Sequence, residues 1–506
     1  MRLSKLNVLT KDEIEQIHNA TLTLLKNVGI KIDSKGVQET LEEYGAEVDH
    51  DTDFVKFPES LVMEMVKKVP KSFTLHGADG SFNFEVNTEK TQFATIGTPV
   101  KIYDPDKKKG VRKTVLEDTI KQIRIVDTLE NIHCSHVDVW PNDVKYTALH
   151  AHAIYQWVKN THKPYGLGCF GGLPSQDMMN MTSIACGGEE ELKKNPRLVG
   201  FFSTTSPLHF PKIMTNGFEV FAKYKQPTIV APEALAGSSA PVTLAGLLTQ
   251  INAENLGGAV LAQVFQPGAP LFFGTVSHIT DMKTGNSAMG AIETGLITAG
   301  VSQLADFYGY PSRGPGSVTD SKVLDLQNGI ERLQTLMFAA QSGINYITCA
   351  GTYEATLVEA LELLVIDDDL VGMVKRALEG IEVNEKTIAL DVIEKVATSK
   401  KKGSTFLGEL HTIQNMKKEL YMPKLMDRSR RSTWWKEGAK DIIERASEKV
   451  QKALESHKPP EIEKEIENKL QEYMKKVEAR SLKDYMEAED LKSASAPVPG
   501  TEIKEE

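Results

Sequence analysis

One strand–loop–helix–strand unit can be read directly from residues 228–277, TIVAPEALAGSSAPVTLAGLLTQINAENLGGAVLAQVFQPGAPLFFGTVS. A short apolar run at 228–234 is followed by a loop of small residues, a long helical pattern at 242–266 and a second apolar run from residue 271. Such alternation is typical of parallel strands joined by helical crossovers. The stretch therefore predicts an α/β fold with a parallel sheet.

The same unit occurs eight times along the chain. The predicted strands are FATIG at 93, HCSHVDV at 133, YGLGCF at 165, LVGFFST at 198, TIVAPEA at 228, LFFGTVS at 271, YPSRG at 310 and INYITCAG at 344. Helical patterns separate them, and a last one starts near residue 354. Eight strand–helix units predict a (β/α)8 TIM barrel. The seventh strand has the weakest pattern because it contains Pro311.

Regions on both sides of the barrel have a different character. We expect an N-terminal α+β region at 1–90, the catalytic barrel at 91–375 and a C-terminal helical region at 376–480. The last segment, 481–506, ends in SASAPVPGTEIKEE, a composition that predicts a disordered tail.

Composition narrows the class of protein. The 506 residues are 41% hydrophobic and carry a formal charge of -10, which provides no basic field for nucleic acid. The four cysteines form no CxxC pair, so we expect neither a disulfide framework nor a structural zinc site. The N-terminus lacks an apolar signal core, and polar residues interrupt the longest apolar segment, 242–265. These features predict a cytoplasmic protein with no membrane segment.

Candidate site residues follow the barrel strands, because barrel enzymes place their chemistry at the carboxyl ends of the strands. No HxH, HExxH or Cys/His cluster is present, so we expect no tightly bound metal, and no residue is assigned as a nucleophile or general base. The candidates are Trp140, Phe170, His209, Glu233, His278, Arg313, Tyr353 and Glu354, with Tyr103 on the hairpin after the first strand.

Together these residue types predict a zwitterion site. Aromatic faces and carboxylates attract a quaternary ammonium, and an arginine fork suits a carboxylate. Pro311 and Pro315 restrict the backbone around Arg313, which we expect to bind the substrate carboxylate. The aromatic residues can equally form the barrel wall, and Glu233 or Glu354 can cap the helix that follows.

Five motifs give the chain a resemblance to the trimethylamine methyltransferase family over residues 1 to about 480. They are FGTVSHITDMKTGNSAMG at 273–290, AGSSAPVTLAG at 236–246, STTSPL at 203–208, DFYGYPSRGPGSVTDSK at 306–322 and LVIDDDLVGMVKRALEG at 364–380. The resemblance implies methyl transfer from methylamines or betaines to Co(I) of cobalamin, carried on a separate corrinoid protein. That partner would dock at the strand C-terminal face, near residues 98–113 and 311–322.

One departure from the family pattern concerns the substrate. Methylamine-using members carry pyrrolysine in the loop after strand seven, and the matching position here is Val318. The pyrrolysine-free members resemble quaternary amine demethylases, so the resemblance favours glycine betaine, with dimethylglycine as product. Proline betaine, carnitine or another betaine is the alternative.

Two other functional classes are also compatible with the sequence. One is a barrel hydrolase or lyase that uses Glu233 or Glu354 as a base, and the other is a non-catalytic betaine-binding protein. We also expect a homo-oligomer, whose contact surface the sequence does not indicate.

Overall fold

The computed structural model describes residues 4–106, 110–136, 139–401 and 403–491. Eight parallel strands form its centre: β1 (Gln92–Phe93), β2 (Ser135–His136), β3 (Tyr165–Gly168), β4 (Leu198–Ser203), β5 (Thr228–Ala231), β6 (Leu271–Gly274), β7 (Ser312–Pro315) and β8 (Tyr346–Thr348). Their spatial order runs from β1 through β8 and down to β2, and a parallel bridge between Ala94 and Cys134 closes the circle. The predicted (β/α)8 barrel is confirmed.

A helix follows each strand and covers the outside of the barrel. These are α1 (Leu116–Thr128), α2 (Leu149–Asn160), α3 (Gly172–Cys186), α4 (Lys212–Lys223), α5 (Leu244–Phe265), α6 (Ile292–Tyr308), α7 (Leu326–Ser342) and α8 (Leu361–Glu379). A short helix, Glu189–Lys194, follows α3.

Helix α5 is buried on nearly all sides because two helices of the N-terminal region, Lys11–Asn27 and Glu59–Val66, pack on it. Its polar residues have partners: Asn252 donates to Thr21 Oγ1 at 2.9 Å, and Asn255 exchanges two hydrogen bonds with the backbone of Gly274. Within the described part of the chain, every helix is too short or too polar to cross a bilayer.

The N-terminal region also contains the helix Lys35–Glu43 and the strands Ile30–Ile32, Glu47–Asp49 and Phe54–Lys56. Its hairpin, Ser72–His76 with Asn83–Asn87, packs into the end of the barrel where the strands begin. There the ring of Phe73 meets the edge of Phe272 of β6 at 5.2 Å. The hairpin thus covers that end, and the site must be sought at the opposite end, which we call the mouth.

Short strands in the loops build up the mouth. One sheet joins Lys101–Asp104, Gly110–Lys113, Thr352–Tyr353 and Val358–Glu359, and another joins Leu235–Ala236, His278–Thr280 and Ser287–Ala288. His209–Phe210 pairs in parallel with Ile30–Ile32. A 3-10 turn, Tyr146–Ala148, precedes α2.

Beyond α8 the described chain is helical, with Glu385–Ile388, Leu390–Ala397, Leu410–Glu419, Arg431–Lys436, Ile442–Ser456, Lys464–Glu478 and Leu482–Ala488, and a 3-10 turn at Phe406–Gly408. The acidic run of α8 anchors this region. Asp369 accepts hydrogen bonds from the Tyr421 hydroxyl and from the backbone of Lys424 and Leu425.

The expectation of a disordered tail from residue 481 requires a correction. Residues 482–488 form a helix, and the buried Glu489 accepts hydrogen bonds from the backbone of Gly172 and Leu173 at 3.0 and 2.7 Å. These amides open α3 and have no partner within the helix, so the carboxylate satisfies them. The rest of the expected tail, 492–506, lies outside the described residues.

Candidate active site at the barrel mouth

Arg313 lies inside the barrel on β7 and is 0% exposed. Its guanidinium donates to the carbonyl of Thr275 and, at 2.5 Å, to Thr348 Oγ1, while its Nε has no hydrogen-bond partner. No carboxylate lies within 4.0 Å of it among the described residues. Burial lowers its pKa, against the opposing influence of Cys349, Tyr346 and the charge of Glu233. Arg313 is therefore a buried cation that forms no salt bridge with a carboxylate of the described residues.

Glu233 extends the inward-facing alternation of β5. Ile229 and Ala231 belong to the cluster that fills the barrel, and Glu233 is the next residue of the same parity. Its side chain keeps contact with solvent and makes no hydrogen bond within the described residues. Protein nevertheless surrounds it on most sides, and this burial raises the pKa of its carboxyl, opposed by nearby His278 and Arg313.

His278 is fully buried beside Glu233. Its Nδ1 lies 2.8 Å from the carbonyl of Val276, which can only accept, so Nδ1 carries the proton. Its Nε2 lies 2.5 Å from Ser287 Oγ. Burial lowers the pKa of His278 and favours the neutral ring. Nε2 of the neutral ring accepts a hydrogen bond from the hydroxyl group of Ser287. Its hydrogen bonds orient the ring at the wall of the site.

The half-buried ring of Phe201, on β4, forms the floor between these groups. Its centre lies 5.5 Å from the guanidinium carbon of Arg313. Deeper in the barrel, His136 Nε2 lies 2.9 Å from the hydroxyl of Tyr346, and burial together with Arg313 lowers the pKa of His136 to about 3. Here we call the space bounded by Glu233, His278 and Phe201 the mouth hollow.

Strained backbone surrounds the mouth. Ser317 and Cys349 have φ of 55° and 81°, and three consecutive residues, Glu354, Ala355 and Thr356, have φ of 51°, 50° and 66°. Residues without glycine's freedom hold such angles only where neighbouring structure imposes them, most often at functional sites. Here the amide of Ala355 donates to the carbonyl of Thr319 at 2.9 Å, which joins the loops after β7 and β8.

Two carboxylates, one half-buried and one buried, fix the loop after β7. Asp320 accepts from the amides of Met289 and Gly290, both at 2.9 Å, and so joins this loop to the loop after β6. Below it, the buried pair of Arg332 and Asp367 also binds the backbone of Gly351 and Thr352. The loops after β6, β7 and β8 therefore form one rigid rim.

Trp140 and Phe170 belong to a second group at the mouth. Their rings meet edge to face at 5.6 Å, and a cleft of about 10 Å³, enough for one water molecule, lies against them. Tyr485 closes this cleft from the C-terminal segment and donates to the carbonyl of Phe170 at 2.5 Å.

The structure does not bring the other candidates to the mouth hollow. Tyr353 is buried against α8 in the outer layer, and Tyr103 packs beside it. His209 lies 2.9 Å from Asp33 of the N-terminal region. Glu354 is half-buried on the strained loop after β8. Val318 is buried at the inner side of the loop after β7, where its amide donates to Thr335 Oγ1.

Two residues of the site, Phe201 and His136, were not among the sequence candidates because they lie within strands. The inward alternation of β4, in which Val199 and Phe201 face the barrel interior, is the signal that identifies Phe201. In the ranges that the structure describes, no three His, Cys, Asp or Glu side chains are grouped closely enough to hold a metal ion.

Comparison with known proteins places this site in context. The family model described as Trimethylamine methyltransferase (MTTB) matches residues 1–481. A glycine betaine methyltransferase of Desulfitobacterium hafniense (strain Y51) is 33% identical over 475 residues, which cover 93% of this chain and 97% of that protein. The trimethylamine methyltransferase MttB of Methanosarcina barkeri (strain Fusaro / DSM 804) is 35% identical over 481 residues, with 94% and 96% covered.

Among solved structures, the Methanosarcina barkeri monomethylamine methyltransferase (MtmB) aligns with a TM-score of 0.49 and 13% identity, covering 89% of each chain.

Proposed function

We propose that this chain, which belongs to the trimethylamine methyltransferase family, moves a methyl group from a quaternary amine to the Co(I) of a corrinoid protein. Glycine betaine is the amine that we favour, with dimethylglycine as the product. Proline betaine, carnitine and other betaines contain the same two charged groups and are the alternatives within this proposal.

The observation that carries the proposal is a pair of opposite charges in one site that influence each other but form no salt bridge, either together or with another described residue. The buried guanidinium of Arg313 has no carboxylate within 4.0 Å among the described residues, and the carboxylate of Glu233 stands open in the mouth hollow. A buried charge without a counter-ion is costly, so its presence points to a ligand that supplies the counter-ion. A betaine supplies an anion for Arg313 and a cation for Glu233.

The aromatic floor supports the same choice. Phe201 presents a half-buried ring in the mouth hollow, and such a ring attracts a quaternary ammonium by about 0.5 to 2 kcal/mol. The guanidinium carbon of Arg313 lies over this ring, 5.5 Å from its centre. We propose that Arg313 attracts the substrate carboxylate within this water-poor part of the barrel, where charges interact more strongly than in water.

Val318 supports a substrate that is already cationic. The resemblance implies that methylamine-using members of the family carry pyrrolysine at this position. In this chain the position holds the buried, aliphatic side chain of a valine. A quaternary nitrogen departs as a neutral tertiary amine and needs no proton. Cobalt supplies the electron pair that forms the new Co–C bond, and the C–N pair stays on nitrogen.

In this mechanism the chain binds and orients the substrate. Glu233 attracts the trimethylammonium, His278 and the rigid rim hold the walls, and Arg313 holds the opposite end of the substrate. The amine is neutral at the moment the methyl group leaves, so its attraction to Glu233 falls until it takes up a proton from solvent. The corrinoid protein would dock at the mouth, near 98–113 and 311–322, because its cobalt must reach the methyl group.

The raised pKa of Glu233 favours one alternative, a hydrolase or lyase that uses Glu233 as a general base. Such an enzyme would act on its substrate without cobalamin. The proposed methyltransferase requires cobalamin, so an assay without cobalamin distinguishes the two hypotheses.

The test is a panel of amines incubated with the protein and free cob(I)alamin, followed through the loss of the cob(I)alamin absorbance. We expect methylcobalamin to form with glycine betaine and not with trimethylamine, and dimethylglycine to appear in equal amount. Formation of methylcobalamin from trimethylamine with none from any betaine would overturn the substrate assignment. Turnover of a panel member without cobalamin would instead support the hydrolase or lyase.

A further inference from the structure

Residues 381–422 form a segment whose described part has almost no core of its own. Ala389 is the single buried residue among those described between 381 and 422. About half of all exposed large apolar side chains of the described chain lie in this segment, and the six most exposed are Ile381, Val383, Leu390, Leu407, Leu410 and Leu420. We call this the 381–422 surface.

The segment is nevertheless ordered into helices that are tied to one another. Lys395 bridges to Glu409 at 2.6 Å, and Lys418 bridges to Glu382 at 2.5 Å. Arg376 of α8 donates to the carbonyl of Glu419 at 2.9 Å. Short helices hold their shape chiefly through burial of an apolar face. Here no described residue buries the apolar faces of Leu390–Ala397 and Leu410–Glu419.

The 381–422 surface lies away from the barrel mouth. Helix α8 starts at the mouth, directly after the loop of β8, and its last residue, Glu379, reaches the opposite end. Residues 381–422 follow α8 at this end of the barrel. Lys424, just beyond them, forms an ion pair at 2.7 Å with Glu130, which follows the end of α1 at the same end of the barrel. A corrinoid protein that delivers cobalt to the mouth hollow is therefore not the partner for this surface.

We propose that a second copy of this chain covers the 381–422 surface, in a two-fold dimer that leaves both mouths open. The exposed apolar area is on the order of 1,000 Å² per chain, if a whole large side chain presents about 150 to 200 Å². A standard stable interface needs about 800 Å² from each partner. The area is thus sufficient for a stable dimer.

The charges of the segment fit contact with an identical surface. Residues 381–422 contain six acidic and seven basic side chains, whereas the whole chain carries a formal charge of -10. A two-fold interface brings each patch against its own copy, so a surface of one sign would repel itself. Acids and bases in nearly equal number can pair across the two-fold axis instead.

The test is the mass of the full chain in solution, measured by light scattering during gel filtration over a wide range of concentration. We expect twice the 55.9 kDa of one chain. The double variant Leu407→Glu/Leu410→Glu should halve the mass. Because the interface is two-fold, each substituted side chain occurs in it twice. The double variant should therefore raise the dimer Kd by about a hundredfold or more. Circular dichroism and thermal melting check that the variant remains folded.

Leu326→Glu is the matched control, because Leu326 is 78% exposed and starts α7 at the mouth. This variant should keep the mass of the dimer. A monomeric wild-type chain, a folded double variant that stays dimeric, or dissociation by Leu326→Glu would each overturn the proposal. None of these results depends on whether the protein transfers methyl groups.

Discussion

Replacing Glu233 by glutamine removes the negative charge of the mouth hollow and keeps the size of the side chain. On the proposed function, this charge attracts the trimethylammonium of glycine betaine. At about 4 Å the attraction is worth about 1 kcal/mol in bulk water and about 4 kcal/mol at an effective dielectric constant of 20. Because the Glu233 side chain keeps solvent contact, we take about 2 kcal/mol. Glu233→Gln should therefore raise the KM for glycine betaine roughly thirty-fold.

The assay is methylation of free cob(I)alamin, which removes any effect of partner docking. An analogue, 3,3-dimethylbutyrate, in which carbon replaces the cationic nitrogen and the carboxylate remains, serves as the matched ligand. Its inhibition constant should not rise in Glu233→Gln, because its tert-butyl group offers Glu233 no positive charge. Glu354→Gln, which alters the other predicted carboxylate, should change the KM for betaine much less, since Glu354 lies on the strained loop after β8 and not at the mouth hollow.

The pH dependence gives an independent readout of the same group. Burial raises the pKa of Glu233, so as the pH falls the carboxylate takes up a proton above the usual range for glutamate. The wild-type kcat/KM for betaine should fall with it, and Glu233→Gln should lose this limb of the profile. An unchanged KM in Glu233→Gln, or an equal loss of affinity for betaine and 3,3-dimethylbutyrate, would refute the electrostatic role.

Three further predictions concern the rest of the molecule. Arg313→Met removes a buried cation together with its hydrogen bonds to Thr275 and Thr348, so the KM for betaine should rise about thirty-fold or more in a chain that circular dichroism shows to be folded; an unchanged or lower KM would contradict the role of Arg313. Glu489→Ala leaves the first amides of α3 without their cap and should lower the free energy of unfolding by about 1 to 2 kcal/mol in denaturant titrations, where no change would argue against the cap. Methyl transfer should persist in chelator, and activity that is lost and then restored by added zinc would contradict this.

The fold was predictable because its signal is local and repeated. Each unit of the barrel shows an apolar run and then a helical period, and eight repetitions compensate for a weak member. YPSRG is such a member, yet β7 forms at Ser312–Pro315, directly after Pro311. The order of residues 481–491 was not predictable in this way, because it depends on Tyr485 and Glu489 meeting partners more than three hundred residues earlier in the chain.

The site was predictable only where side chains continue the strand alternation. Glu233, His278 and Arg313 come from the adjacent strands β5, β6 and β7 or directly after them, so their meeting follows from the strand order. Tyr353 and His209 come later in their loops, and the path of a loop depends on its tertiary contacts. The sheet with Lys101–Asp104 turns Tyr353 to the outer layer, and the pairing with Ile30–Ile32 holds His209 beside Asp33.

The depths of Arg313 and Glu233 in the barrel indicate how the proposed substrate would be oriented. Arg313 pairs in register with Gly274 and Tyr346 inside the barrel, whereas Glu233 lies beyond the last residue of β5, nearer the mouth. Because the hairpin at Ser72–Asn87 covers the opposite end, the proposed substrate and the cobalt of the partner would both approach through the mouth. A betaine that enters with its carboxylate first places its anion toward Arg313 and its ammonium beside Glu233. Its methyl groups then face outward, toward the only side from which an attacking cobalt can come in line with the C–N bond.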